Sequence, residues 1–313
     1  MTIKNAATFA EINSLFANSD PDEVWLSASD IVRRINHGYD FSVVRTSFDD
    51  MVRMFRGEYP GYAPIKTLYH DLRHTLDVFL CAVRLMHGMH VSGNRLTDEE
   101  MTIAMIAALM HDIGYAQPLG EDTGTGAQHT KIHVLRGIEF ARHYIAAQGF
   151  SPALAAPMKF ILLCTDPAVA ISEIKFPDER TRLLGQIVGT ADLTGQMADR
   201  TYLEKLLFLY LEFKEAQFGS YQNIYDLLCK TRDFYEFTRE RLDTGLGGIY
   251  HYLAFHFKDW YGIENNYYLE SIEKNIAYLS QVTELNKTQQ LSMLKRGGIV
   301  EKSGPLIAPE DLA

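Results

Sequence analysis

The chain has 313 residues, a hydrophobic share of 47% and a formal net charge of −10. That length allows one large domain or two small ones, and the apolar share is ample for a core. An acidic balance with no basic block argues against a nucleic-acid surface built on phosphate neutralisation, while leaving room for a small anionic substrate at a metal site.

Residues 1–60 read as short helices with polar joints, an N-terminal segment expected to pack on the core. Asn18-Ser19-Asp20-Pro21 caps a segment carrying Val24, Leu26, Ile31 and Val32, and Ser47 opens another with Met51, Val52 and Phe55. Met1 to Asn5 lacks the apolar stretch of a secretory signal. Gly57, Pro60, Gly61 and Pro64 then break the pattern.

The spacing predicts a helix from Leu68 to about Met86. Leu72, Leu76, Phe79, Leu80 and Val83 share one face, and His70, His74, Asp77 and Cys81 share the opposite one. A surface helix would carry Lys, Glu or Gln there, so this helix is expected to be covered on both sides, with a polar site on one. The plainer account is a partly solvated histidine-rich face.

Thr97 and Glu100 form a capping box for a helix that is apolar nearly all round and ends in Ala108-Leu109-Met110-His111-Asp112-Ile113-Gly114. Its last turn delivers His111 and Asp112 to a buried place, and Gly114 suits the C-terminal stop. A buried carboxylate needs a partner. For this dipeptide alone, a core histidine beside an arginine-paired carboxylate is the simpler account.

Residues 114–126 read as a loop, and from Ala127 a helix carries His129 and His133 four apart. Pro152 opens a helix that ends at Cys164-Thr165-Asp166-Pro167. In Arg182–Leu193, Asp192 lies beside an apolar stripe; a salt bridge to Arg180, Arg182 or Arg200 is its plainer account. From Asp199 helices follow one another over Tyr202–Phe218, Tyr221–Leu242, Ile249–Trp260 and Asn266–Val282. The aromatic side chains of this third fill a core or line a pocket. Residues 286–313, polar and rich in Gly and Pro, are expected to form a loose tail.

No β-alternating segment and no repeat occur, so the expected fold is all-α in one domain. No apolar run reaches the roughly 18 residues of a membrane span. Cys81, Cys164 and Cys229 look like reduced thiols, so the expected location is the cytoplasm. Neither a nucleic acid nor a membrane is expected as partner, and a homo-oligomer is compatible.

His74, His111, Asp112 and Asp192 come from three predicted helices and make a mixed N/O set suited to Zn²⁺, Mn²⁺, Fe or Co²⁺. The two oxygens of Asp112 allow it to bridge a second ion, and Asp77 is placed to orient an imidazole. Tyr69-His70-Asp71-Leu72-Arg73-His74-Thr75-Leu76-Asp77-Val78 resembles the H-N-x-x-H-A-x-D-V signature of class I cyclic nucleotide phosphodiesterases. His111-Asp112 resembles the motif that names the HD phosphohydrolase superfamily. Cys164-Thr165-Asp166 and Ala191-Asp192-Leu193 are similar to the A-T-D and A-D-L of those phosphodiesterases, and order and spacing agree over about residues 65–200.

The resemblance implies an all-helical HD-type catalytic domain, spanning residues 61–285, that hydrolyses a nucleotide-like phosphodiester. It implies His74, His111, Asp112 and Asp192 as ligands of the first metal and His70 as general acid. Two divalent ions are implied, zinc with magnesium or manganese, or iron. His129 and His133 are candidates for the second metal or the substrate, as is Thr165. Asp71 and Thr75 stand where the family has Asn and Ala, and Ile113-Gly114-Tyr115-Ala116 replaces the family's His and Pro-Gly. No purine-binding Gln and Phe clamp is matched, so cyclic-nucleotide specificity does not transfer. An HD-type di-iron oxygenase and a non-catalytic metal-containing sensor or scaffold are the alternatives.

Overall fold

The computed structural model describes residues 20–121, 123–219, 221–303 and 306–312, and the expected features of residues 1–19 lie outside them. The architecture is all-α. In chain order the helices are α1 (Pro21–Ile35), α2 (Ser42–Arg56), α3 (Leu72–Val91), α4 (Asp98–Met110), α5 (His133–Ala147), α6 (Pro152–Ala155), α7 (Met158–Leu162), α8 (Glu179–Ala198), α9 (Tyr202–Glu215), α10 (Ile224–Glu240), α11 (Tyr252–Tyr261), α12 (Tyr267–Thr283), α13 (Lys287–Met293) and α14 (Ile299–Ser303). Among the described residues no strand forms, only an isolated antiparallel bridge between Tyr62 and Pro118. No helix of the described residues is long and apolar enough to cross a membrane.

Capping side chains set most helix starts. Asp20, Asp71, Asp178, Asn223, Asn266 and Asn286 each accept a backbone N–H of the first turn. The Thr97–Glu100 capping box is present at α4. The cap at Asp71 corrects one expectation: α3 begins at Leu72, not Leu68, so His70 precedes the helix and does not share its face with His74. Likewise α2 starts at Ser42, five residues before Ser47. The helix expected after Pro152 is cut in two, with Pro157 between the pieces.

α3 is the axis of the molecule. It packs against α1, α4, α8 and α11, and nearly every side chain from His74 to Met89 is buried. Gly88 allows the closest of these approaches, because a Cβ there would fall 1.9 Å from the Tyr252 carbonyl oxygen at the start of α11. α4 is inserted between α3, α2 and α8, as its unbroken apolar surface requires.

Among the described residues after 285, packed contacts replace the loose tail expected from composition. α13 and α14 bury Leu294, Ile299 and Ser303, and Tyr278 donates its hydroxyl to the Met293 carbonyl. Asp311 accepts from Tyr210 and Lys214 of α9. α14 packs on α9 and α13 on α12, contacts that composition alone does not reveal.

Candidate metal centre

Four side chains from three places in the fold converge at one end of α3. His74 comes from the first turn of α3, His111 and Asp112 from the end of α4, and Asp192 from the middle of α8. His74 Nε2 lies 3.3 Å from Asp112 Oδ2 and 3.3 Å from Asp192 Oδ1. His111 Nε2 lies 3.1 Å from His74 Nε2, 3.1 Å from Asp112 Oδ2 and 3.8 Å from Asp192 Oδ1. Ligand atoms about 2.1 Å from a shared ion lie roughly 3.0–3.4 Å apart in octahedral or tetrahedral coordination. The buried His74, His111 and Asp112 can hold a metal ion.

The donor chemistry agrees with the spacing. His111 Nδ1 faces the Ala108 carbonyl at 2.8 Å, and a carbonyl only accepts, so the proton is on Nδ1 and Nε2 offers a lone pair. That lone pair looks at a carboxylate oxygen of Asp112, which is buried and receives no hydrogen bond of good geometry. Such an array needs a cation. In its absence the positive charge must be a proton: burial disfavours the charged form of His74, but Asp112 and Asp192 outweigh it and push this group up to about 10. Burial opposes ionisation of Asp112 too, yet His111, His70 and His74 hold its carboxyl well below the usual range. Two of the three arginines that are plainer partners for Asp192 are engaged elsewhere, Arg180 with Glu100 and Arg182 with Glu179.

Asp112 turns its other oxygen outward. His133 Nε2 lies 3.4 Å from Asp112 Oδ1, and His133 Nδ1 donates to the Thr130 carbonyl, leaving Nε2 as a second lone pair against the same carboxylate. Gly114 makes this possible. A Cβ there would fall 1.8 Å from the His133 carbonyl oxygen and 2.9 Å from Gly137 N. Its φ is negative, so it is not the left-handed helix stop expected; it is the gap through which α5 meets the turn after His111-Asp112.

His70 stands beside this cluster. Its Nδ1 lies 2.6 Å from Glu212 Oε2, a buried carboxylate of α9 that also accepts from Tyr69 N through Oε1 at 2.6 Å. Burial disfavours the imidazolium, but Glu212 and Asp112 outweigh it and raise the His70 pKa. Tyr115 stacks on both His70 and His133, with ring centroids 4.9 Å and 4.7 Å away. Asp192 is in turn held by Gln196, whose Nε2 donates to it and whose Oε1 accepts the Tyr69 hydroxyl.

Three expected residues do not join the cluster. Asp77 pairs with Arg73 at 3.7 Å, within a group that includes Asp199 and Lys205. Burial and Asp199 push it up to about 7 against Arg73, Lys205 and His74. Thr165 donates its hydroxyl to the Leu162 carbonyl. His129 closes a 3-10 turn, Ala127–His129, while α5 begins at His133; the two histidines lie on different elements rather than on one helix. Glu212 was not singled out from the sequence. Its signal was the one that marked Asp192, a lone carboxylate between apolar residues, here Leu211 and Phe213.

A family model described as Npun_R2479-like matches residues 25–137. That stretch carries His70, His74, His111, Asp112 and His133, and stops short of Asp192 and Glu212. No curated protein and no solved structure matches the chain.

Proposed function

We propose that this protein is a metal-dependent phosphohydrolase of the HD type that cleaves a nucleotide-like phosphodiester. The observation that carries this reading is the convergence of His74, His111, Asp112 and Asp192, with the second oxygen of Asp112 turned toward His133 and the His70–Glu212 pair alongside. Those four side chains would hold one divalent ion, and Asp112 with His133 would contribute to a second, zinc with magnesium or manganese being the natural pair for these donors. When bound, such ions neutralise phosphoryl oxygens and lower the pKa of water.

The protein groups have separate tasks. Water attacks phosphorus and releases a proton to solvent, the ester P–O bond breaks, and the departing alkoxide takes a proton from His70, which solvent then restores. Glu212 holds the Nδ1–H of His70, which leaves Nε2 to face the leaving group, and the carboxylate keeps the imidazole protonated to higher pH. Tyr115 fixes the plane of both flanking imidazoles by stacking. Gln196 and the carbonyl acceptors of His111 and His133 keep the ligand atoms aimed at one point.

Metal-replete protein assayed with bis(p-nitrophenyl) phosphate and p-nitrophenyl phosphate tests the reading. Turnover is expected in the wild type and lost in Asp112→Ala and His70→Ala, the latter keeping its metal. Hydrolysis of neither compound would sink the proposal. A second reading, a di-iron oxygenase, draws on His133 as an extra nitrogen donor. Iron content with oxygen-dependent turnover separates the two.

A further inference from the structure

The three imidazoles of the centre are not secured alike. His111 and His133 each donate Nδ1–H to a backbone carbonyl, Ala108 and Thr130 respectively. Among the described residues His74 Nδ1 makes no hydrogen bond to a protein acceptor. A histidine that ligates a metal through Nε2 must carry its proton on Nδ1, and an acceptor for that proton fixes both tautomer and ring orientation.

A cavity of about 10 Å³ borders His74, lined also by Tyr69, Asp77, Gln196, Asp199, Tyr202 and Lys205. His111, Asp112 and Asp192, which surround Nε2, do not line it. Its volume is about that of one water, and its lining offers more than the two to four polar partners a buried water requires. Asp77 is one helical turn beyond His74 on α3, and its carboxylate lies 3.7 Å from Arg73 Nε, a loose ion pair that leaves an oxygen to accept elsewhere.

We propose that one water bound in this cavity joins His74 Nδ1–H to Asp77, making Asp77 the positioning residue that sets His74 for metal binding. The inference rests on the metal-centre reading. It adds the residue behind the ligand; Asp199, the other carboxylate of the lining, is engaged by Arg73, Lys205 and the Thr201 N–H and hydroxyl.

The test is zinc affinity of the full chain, measured by competition with a chelator, beside thermal unfolding. Asp77→Asn is expected to weaken zinc binding about 10–100-fold, the usual effect of losing an outer carboxylate. Asp77→Glu, which returns a carboxylate to the cavity, is expected to recover most of it. Arg73→Gln breaks the same ion pair from the other side and is expected to lower the melting temperature while leaving affinity unchanged.

Wild-type affinity in Asp77→Asn overturns the inference, as does an equal affinity loss in Arg73→Gln, which would make the whole charge group structural. If Asp112→Ala still binds zinc, the metal-centre reading itself fails, a distinct outcome. Should Asp77→Asn not fold, nitrogen-15 spectra of the zinc-loaded wild type decide. The Nδ1 proton of His74 is expected to resist exchange like those of His111 and His133, and rapid exchange overturns the proposal.

Discussion

α3 contributes one histidine to each of two buried pairs, one near each end, with nearly the same separation and opposite electrical character. At one end His74 Nε2 and His111 Nε2 lie 3.1 Å apart among two carboxylates. At the other, His87 Nδ1 and His256 Nδ1 of α11 also lie 3.1 Å apart, packed by Trp260 and Phe257, with the buried Arg84 nearby. The Asp259 carboxylate of α11 approaches that pair, 3.6 Å from His87 Nε2. Burial opposes charge in both places. Carboxylates overcome it at His74, up to about 10, whereas at His87 nothing does, and the group falls to about 4. Imidazole pairs at one distance therefore make a cation site or a neutral packing unit according to what surrounds them.

Removing the carboxylate that distinguishes the first pair should have the largest effect. Asp112→Ala is expected to lose bound metal by elemental analysis and to reduce phosphodiester turnover to background, because both proposed metal positions share that side chain. Retained metal would erase the contrast. Next comes Glu212→Gln, expected to keep its metal but lose roughly 10²–10³-fold in turnover, within the range for general acid catalysis. The raised pKa of His70 depends on Glu212, so the alkaline limb of the pH–rate profile should also move to lower pH. An unchanged limb would remove His70 from the acid's role.

Gly114→Ala tests the packing that brings His133 to Asp112. An added Cβ collides with the His133 backbone, and the expected cost is about 3 kcal/mol, measured by urea unfolding. A neutral substitution would mean that α5 can slide away freely.

The pairs should also give opposite pH slopes. His74 has a raised folded pKa, so in chelator-treated protein its stabilisation is complete below about 6.5 and is lost as pH rises toward 10. His87 has a lowered one, so its contribution is present above about 6.5 and is lost as pH falls toward 4. Metal should abolish the alkaline loss and leave the acid loss untouched, and His256→Phe should reduce only the acid loss. Melting temperatures across pH with and without zinc check both statements. The smallest effect is expected from Lys214→Ala, whose ammonium is half exposed where it meets Asp311, so the urea midpoint should barely move.

Much of this was legible in the residues themselves. Helix periodicity, the Thr97–Glu100 box and the absence of alternating segments determine an all-α chain, because these signals act within a few residues. His74, His111, Asp112 and Asp192 stood out because imidazole and carboxylate in apolar helices demand a partner wherever the helices end up. The start of α3 was misplaced although Asp71 was a visible cap, and that error put His70 on the wrong face of the wrong element. His129 and His133 were joined by spacing, a rule that holds only inside one helix.

Tertiary structure decided the rest. Glu212 reaches His70 across more than a hundred residues, and Gly114 matters only because α5 crosses it. The C-terminal stretch is held by contacts with α9 and α12, and the character of the His87–His256 pair depends on helices brought together from distant parts of the chain. Local sequence determines which groups need partners. Which partner each receives depends on close packing between distant segments, where a shift of one ångström separates a ligand from a bystander.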